Sequence, residues 1–472
     1  MPARLRSAEQ LVRLGKRSRF RASRALVLSA LLVMLVSACG TEATSTAVPP
    51  AAQPTNTAAT MAETPTAAMA GSPSGAETPT TAMAETPATS GGTGGTILFG
   101  APLGLTGSLS KESRLTQQGY ELWKEAVNAA GGIKVGDKMY KVQTKYYDDE
   151  SKQDKSAQLA EKLINEDKVN FLLGPYGTSA TQSTAAIAEK YEIPMVEGEG
   201  AALKIFSQGY KYTFGTLSPA PNYLKGVIEM AVAQNPKPKT VVILSANDAF
   251  SVEVADGAQK VAKDNGLTVA AYIKYPNNET NLTAQVTQAK AKAPDLILNS
   301  GHFAEAVAIV KAAKELGVSP MGMGFSVGPS LPDFKDTLQA DADYIYGGAQ
   351  WTKDLKYNGD DYWKTPQAYY DAFVKRWGNA PSYQSAMATA CGLVFQKAIE
   401  KTASLDPKTV RDAIAATDFM SFAGQMKFNE QGINTFKPMV VEQWQKGKKQ
   451  TVWPTDVASG QPQWPMPAWD KR

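Results

Sequence analysis

Several stretches carry residue types at spacings that could do chemistry. Gly174-Pro175-Tyr176-Gly177-Thr178-Ser179 follows the apolar run Phe171-Leu172-Leu173 and opens a helical pattern over about 180–191. This order reads as a strand, a turn and a helix with Thr178 and Ser179 at its N-cap. Free amides at a helix start, with hydroxyls beside them, favour an anion the size of a carboxylate. The same residues also suit an ordinary capped helix between two strands. Glu197-Gly198-Glu199-Gly200-Ala201 leaves the next apolar run and offers further amides. His302 is the only histidine, which excludes multi-histidine metal sites and confines any Ser-His-Asp triad to its surroundings. No G-x-S-x-G precedes it. Asp148-Asp149-Glu150 could suggest a metal, but such a cluster is more often a solvated strand end. There is no P-loop, and Gly198-Glu199-Gly200-Ala201 lacks the third glycine of a dinucleotide site. The expectation is a protein that is not an enzyme and holds no cofactor or metal.

The elements that must position these residues alternate. Strands are expected at about 97–102, 140–147, 171–173, 193–196, 240–244, 268–275 and 296–299. Helices are expected at about 115–130, 154–166, 180–191, 223–234, 252–264, 282–292 and 304–316. Such alternation implies parallel sheets covered by helices, with ligands beyond the carboxyl ends of the strands. After Trp351 the order loosens. Helices are expected at about 365–377, 384–401 and 407–417, then strands at 425–428 and 439–445. This late return suggests that the chain crosses between two lobes more than once.

The first 24 residues hold eight basic residues and one acid, and residues 25–36 are apolar but for Ser29. That core is shorter than the ~20 residues of a membrane-spanning helix and reads as a secretory signal. Val36-Ser37-Ala38-Cys39 closes it like a bacterial lipobox, which would make Cys39 the lipidated first residue. Residues 1–38 carry a net +7, so the whole-chain +4 becomes −3 without them, and no nucleic-acid partner is implied. Residues 39–95 are rich in Ala, Thr, Pro and Gly and cannot bury enough apolar surface to fold, so they read as a disordered tether. The remaining ~375 residues suffice for two domains. With Cys39 lipidated, Cys391 has no partner for a disulfide and is expected to be buried and inert.

Gly131-Gly132-Ile133 after a long helix, Tyr146-Tyr147-Asp148-Asp149 at a strand end and the 174–179 turn resemble the branched-chain amino-acid type of substrate-binding protein. These are the type I periplasmic binding proteins that serve ABC importers. Phe428-Asn429-Glu430-Gln431-Gly432 and Val441-Glu442-Gln443-Trp444-Gln445-Lys446-Gly447-Lys448 resemble that family's closing strands. The resemblance spans roughly 96–454. It implies an α/β fold of two Rossmann-like lobes with parallel sheets, joined by a three-crossing hinge. Lobe 1 is expected at 96–218 plus 352–432 and lobe 2 at 219–351 plus 433–454, with a C-terminal tail at 455–472. The residues matching the family's cleft positions are Ser108, Tyr176, Thr178, Glu199, Gly200 and Ala201 in lobe 1, with Phe250, His302 and Ser326 in lobe 2. Ala201 stands where amino-acid binders usually offer a hydroxyl, and Ser326 where they usually offer an acid to the ammonium. Glu199 could supply that acid from lobe 1.

The function implied is an exported, lipid-anchored, monomeric solute binder, at the outer face of the cytoplasmic membrane or in the periplasm. It would hand a small carboxylate-bearing ligand, an amino acid, to an ABC importer permease. The alternatives are a binder of a non-amino organic acid or amide, a ligand-sensing receptor subunit, and a structural surface lipoprotein.

Overall fold

The structure is a computed structural model and describes residues 92–472. Cys39, the signal segment and most of the expected tether lie outside the described residues. The first sheet contains β1 (Gly92–Leu103), β2 (Ile133–Val135), β3 (Lys138–Asp148), β4 (Phe171–Leu173), β5 (Met195–Glu197) and β6 (Thr213–Gly215). Their order is β2-β3-β1-β4-β5-β6, parallel throughout except that β2 returns antiparallel to β3. Helices α1 (Ser110–Ala129), α2 (Gln153–Asn165), α3 (Thr178–Lys190) and the short α4 (Leu203–Phe206) connect these strands.

The second sheet takes β7 (Thr240–Ala246), β8 (Thr268–Tyr275), β9 (Leu296–Ser300), β10 (Gly322–Phe325) and β11 (Tyr346–Ala349), all parallel. Its helices are α5 (Lys225–Val232), α6 (Ala249–Asp264), α7 (Thr283–Lys290), α8 (Phe303–Glu315) and α9 (Pro332–Leu338). The chain then returns to the first sheet. There α10 (Pro366–Trp377), α11 (Tyr383–Thr402), α12 (Pro407–Ala415) and the hairpin of β12 (Asp418–Ser421) and β13 (Gly424–Lys427) follow. Ile433 bridges Gly215 beside β6. The chain then passes to β14 (Val440–Gln445) and β15 (Lys448–Trp453), which add antiparallel to β11. It therefore passes between the sheets three times. The units on the first and second sheets are called lobe 1 and lobe 2 below.

Three expectations change. Strand β1 starts at Gly92, inside the segment expected as tether through residue 95, because Gly92 and Thr93 pair with Lys138 and Met139 of β3. A side chain at Gly94 would collide with the Tyr140 ring, so only a glycine lets that ring lie against the strand. The short elements β2, α4, β6, β10 and β11 had no periodic signature long enough to read. The C-terminal tail at 455–472 is packed against lobe 2. The Trp464 indole N–H donates to Pro236 O at 2.9 Å, and that of Trp469 donates to Val318 O at 2.8 Å.

The packing that positions the cleft of lobe 1 is that of α1 against α11. Trp123 of α1 sits edge-on to Phe99 at 5.2 Å, and Phe395 of α11 closes on Phe99 at 5.2 Å and Phe171 at 5.1 Å. The helices touch through glycines. A Cβ at Gly392 would lie 2.0 Å from the Trp123 ring, and one at Gly119 would lie 2.2 Å from the Ser385 carbonyl. Alanine in a helix is ordinarily favoured over glycine by about 1 kcal/mol. Here Gly392→Ala should instead destabilise by about 1–3 kcal/mol, as overpacked cores do. Urea unfolding followed by Trp fluorescence measures it, and an unchanged or raised midpoint would contradict the packing.

Candidate functional site

The strand-end loops of both lobes meet in one cleft. In lobe 1, Gly174 allows close approach of β4 and β5, since a Cβ there would lie 2.2 Å from Glu197 Cβ. Gly177 adopts φ +90° and occupies the N-cap of α3. Thr178 and Ser179 are thus the first residues of the helix, not its caps. The amides of the first turn have no intrahelical acceptor and no side-chain cap, so they remain available as donors. The Thr178 hydroxyl accepts the Ala202 N–H at 3.4 Å.

In lobe 2, His302 is the N-cap of α8, and Phe250 lies in the first turn of α6. His302 is 8 % exposed, and its Nε2 lies 3.5 Å from Asp248 Oδ2. Asp248 caps α6 by accepting the Ser251 N–H at 3.0 Å and its hydroxyl at 2.7 Å. Glu305 accepts the backbone N–H of His302 at 3.3 Å. Burial opposes charge on His302, but Asp248, Glu305 and Glu112 outweigh it and raise its pKa to about 9. Burial likewise opposes charge on Asp248, and His302 overcomes it, pulling the carboxyl down to about 2. Lobe 2 therefore presents a buried imidazolium. Phe250 packs against it at 5.6 Å, and Tyr176 approaches it edge-on at 6.3 Å from lobe 1.

The cleft is closed. Glu112 Oε1 of α1 accepts the Phe303 N–H of α8 at 3.2 Å. Lys111 pairs with Asp333 at 2.7 Å, and Glu253 of α6 accepts the Leu203 and Lys204 N–H groups of α4 at 2.7 and 3.1 Å. Between the lobes lies a cavity of about 70 Å³. Of the residues expected at the site, Ser108, Tyr176, Thr178 and His302 line it. Phe250 stands behind His302. Glu199, Gly200, Ala201 and Ser326 do not border the cavity.

Glu199, Gly200 and Ser326 are otherwise engaged. Two of the amides expected to face a ligand are taken, because Glu197 Oε2 accepts the Glu199 N–H at 2.7 Å and the Gly200 N–H at 2.6 Å. Burial pushes the Glu197 carboxyl up to about 8, against those two hydrogen bonds. Burial also raises Glu199 well above the carboxylate range, against the Thr116 hydroxyl that donates to its Oε1 at 3.0 Å. Ser326 is fully buried. Its hydroxyl accepts the Gly301 N–H at 3.1 Å and donates to Gly301 O at 3.0 Å, which fixes the turn that presents His302.

Sequence reasoning missed Glu112, Ser113 and Asp248 as cleft residues. An acidic residue just ahead of a helical pattern is an N-cap signature that could have found Asp248. Of the 148–150 acids, Asp148 accepts the Thr106 hydroxyl, and Asp149, which borders the cavity, accepts the Ser156 hydroxyl, each at 2.7 Å. Among the described residues no group of three or more His, Cys, Asp or Glu could hold a metal.

Residues 96–449 match the family model described as periplasmic binding protein. The chain belongs to the periplasmic binding protein family. That family consists of binding proteins rather than enzymes, and the two mostly parallel sheets form its type I fold. A Leu/Ile/Val-binding protein homolog 8 from Brucella abortus is 25% identical over 386 residues, covering 77% of this chain and 91% of the relative. Two solved structures share the fold. The branched-chain amino acid transporter substrate-binding protein LivJ of Streptococcus pneumoniae, in complex with isoleucine, aligns at TM-score 0.67 and 22% identity. The match covers 76% of this chain and all of LivJ. A solute-binding protein of an R. palustris ABC transporter, in complex with benzoate, aligns at TM-score 0.65 and 18% identity, covering 79% and 97%.

Because His302 is the only histidine, its charge can be read directly. In tag-free protein the single imidazole signal should titrate near pH 9 by NMR, and Asp248→Asn should move it down toward the ordinary 6.5. The folded pKa lies above the unfolded one. Its contribution to stability should therefore be fully present below about pH 6.5 and be lost as pH rises through about 9. A wild-type titration at or below 6.5 would show that Asp248 does not hold the charge.

Proposed function

We propose that this chain is an extracytoplasmic solute-binding lipoprotein that captures a small carboxylate-bearing ligand, an amino acid, and delivers it to an ABC importer. The observation that carries this reading is the α3 N-terminus with its Thr178 hydroxyl in lobe 1, set across the cavity from the His302 imidazolium of lobe 2. Removing a carboxylate from water costs more than a helix dipole returns, which is roughly 0.3–2 kcal/mol. Charge-assisted hydrogen bonds of about 1.5–3 kcal/mol each must make up the difference, and the first-turn amides and Thr178 are donors of that kind. Closure over the ligand then brings His302 to its other side. LivJ with isoleucine and the R. palustris protein with benzoate show that this fold accommodates both kinds of acid.

The second reading, an aromatic acid without an ammonium, is favoured by the rings of Tyr176 and His302 on the cavity wall, with Phe250 packed against His302. Delivery to an importer rests on the names of the relatives, and the receptor alternative lacks such support. Among the described residues no helix is long and apolar enough to cross a membrane.

Isothermal calorimetry with free amino acids and with benzoate tests the carboxylate site. Thr178→Ala should weaken whichever acid binds by at least about tenfold, or about 1.4 kcal/mol. Undiminished affinity in Thr178→Ala, or no binding of any acid, would remove the reading.

The anchor is tested separately. Wild-type protein expressed in a bacterium should partition into detergent with a lipid mass on Cys39, and Cys39→Ala should stay in the aqueous phase. Wild-type protein wholly in the aqueous phase ends the lipoprotein part of the proposal.

A further inference from the structure

The three passages between the lobes are tied together at one point. Ser218 lies between β6 and α5, Gln350 directly after β11, and Lys437 between the Ile433 bridge and β14. All three are buried. The Gln350 side chain meets the Ser218 backbone twice, accepting its N–H at 3.0 Å and donating to its carbonyl at 2.9 Å. The Ser218 hydroxyl donates to Lys437 O. The Lys437 amine donates to Gln350 O at 2.6 Å, which closes the ring, and lies 3.3 Å from Met387 Sδ of α11. A ring that takes one residue from each passage cannot keep its geometry when the lobes turn.

Lysine is almost never fully buried unless paired with an acid. Lys437 is 3 % exposed, and its amine meets a carbonyl and a thioether, neither of them charged. The titratable groups around it do not offset its charge. Tyr357 lies beside its stem where both approach Gly424 of β13, and Lys427 of the same strand is paired with Asp418 at 2.7 Å. Tyr383 and Cys391 stand one turn to either side of Met387 on α11. Tyr223 bonds Gln350, and Glu197 lies farther off beside Cys391. Burial raises the pKa of Tyr357, Tyr383, Cys391, Tyr223 and Glu197 alike, which favours their uncharged forms. Burial alone pulls the Lys437 amine down to about 7, since the ion leaves water with no opposite charge to meet it.

We infer that Lys437 is a proton-linked hinge latch, an uncharged amine in the closed form and an ammonium stabilised by water when the lobes turn apart and the ring opens. On closing, one N–H bond breaks, the nitrogen keeps the electron pair and the proton passes to solvent. The neutral amine still has an N–H for Gln350 O. The open form holds the proton more tightly, so closure releases it. Below about pH 7 both forms are charged and closure is at its weakest. Above that, closure gains up to about tenfold per pH unit until the open form also loses its proton, at most near the ordinary 10.5. An acid setting therefore opens the cleft and lets its ligand go, whatever that ligand is.

Small-angle X-ray scattering of the ligand-free protein at about pH 6.5 and about pH 8.5 tests the latch, independently of the carboxylate reading. The wild type should be more compact at the higher pH. Lys437→Met keeps the length of the stem without the amine and should be equally compact at both. Lys437→Arg stays charged throughout and should be equally expanded at both. Glu197 and His302 also titrate near this range, at about 8 and about 9, but all three proteins keep them, so the difference between them isolates Lys437. Wild-type scattering that is unchanged, or more compact at the lower pH, overturns the inference with no variant needed. A folded Lys437→Met or Lys437→Arg that compacts with pH as the wild type does overturns it as well.

Discussion

An imidazolium shielded from water is the constraint on which the cleft depends. His302 can stay charged only if carboxylates surround it, and each comes from a different place in the fold. Asp248 is fixed by capping α6, Glu305 reaches back from the first turn of α8, and Glu112 arrives from the other lobe. Ser326 holds the Gly301 turn beneath. Two of the three carboxylates are present in lobe 2 whatever the position of lobe 1. The third comes from lobe 1, so the charge balance around His302 is shared between the two lobes, and in this water-poor setting each interaction is strengthened.

Lobe 1 treats its own acids differently. Glu197 and Glu199 are two residues apart, both buried, and neither faces a basic side chain among the described hydrogen bonds and ion pairs. Burial raises both pKa values, that of Glu197 to about 8, so near neutral pH Glu197 acts largely as a carboxylic acid. Glu197 shapes the loop by gathering two backbone amides. Glu199 keeps one oxygen toward Thr116 and the other open.

The broad architecture was legible because it rests on local patterns. The alternation of apolar runs with 3.6-residue periodicity gave the helices α2, α8 and α10 and the strands β7 and β8 nearly to the residue, and it placed the 174–179 turn at a strand end. Gly177 was visible as a glycine, but its positive φ moved the cap one residue earlier than Thr178. Helix α1 begins at Ser110, five residues before its amphipathic pattern at Leu115. Its first turn carries Lys111, Glu112 and Ser113, which lie ahead of that pattern. Glu112 is buried where it meets α8, a segment distant in sequence, and no local spacing encodes such a contact. Glu197 was hidden in the same way. It looks like a loop acid, yet Gly174 and Gly215 let two strand ends close over it.

The dependence of lobe 1 on α11 also bears on how the chain is made. Thr389 bonds Gly119 across 270 residues, and Phe395 covers Phe99 and Phe171 only after all of lobe 2 up to β11 has been synthesised. A chain emerging from the ribosome therefore presents Phe99, Trp123 and Phe171 uncovered through most of its synthesis, while β7–β11 form a contiguous stretch that can pair early. The core of lobe 1 can close only once α11 has been made. For a polypeptide that threads through a secretion channel unfolded, such late closure is an advantage, because the part that enters first cannot lock before the rest has followed.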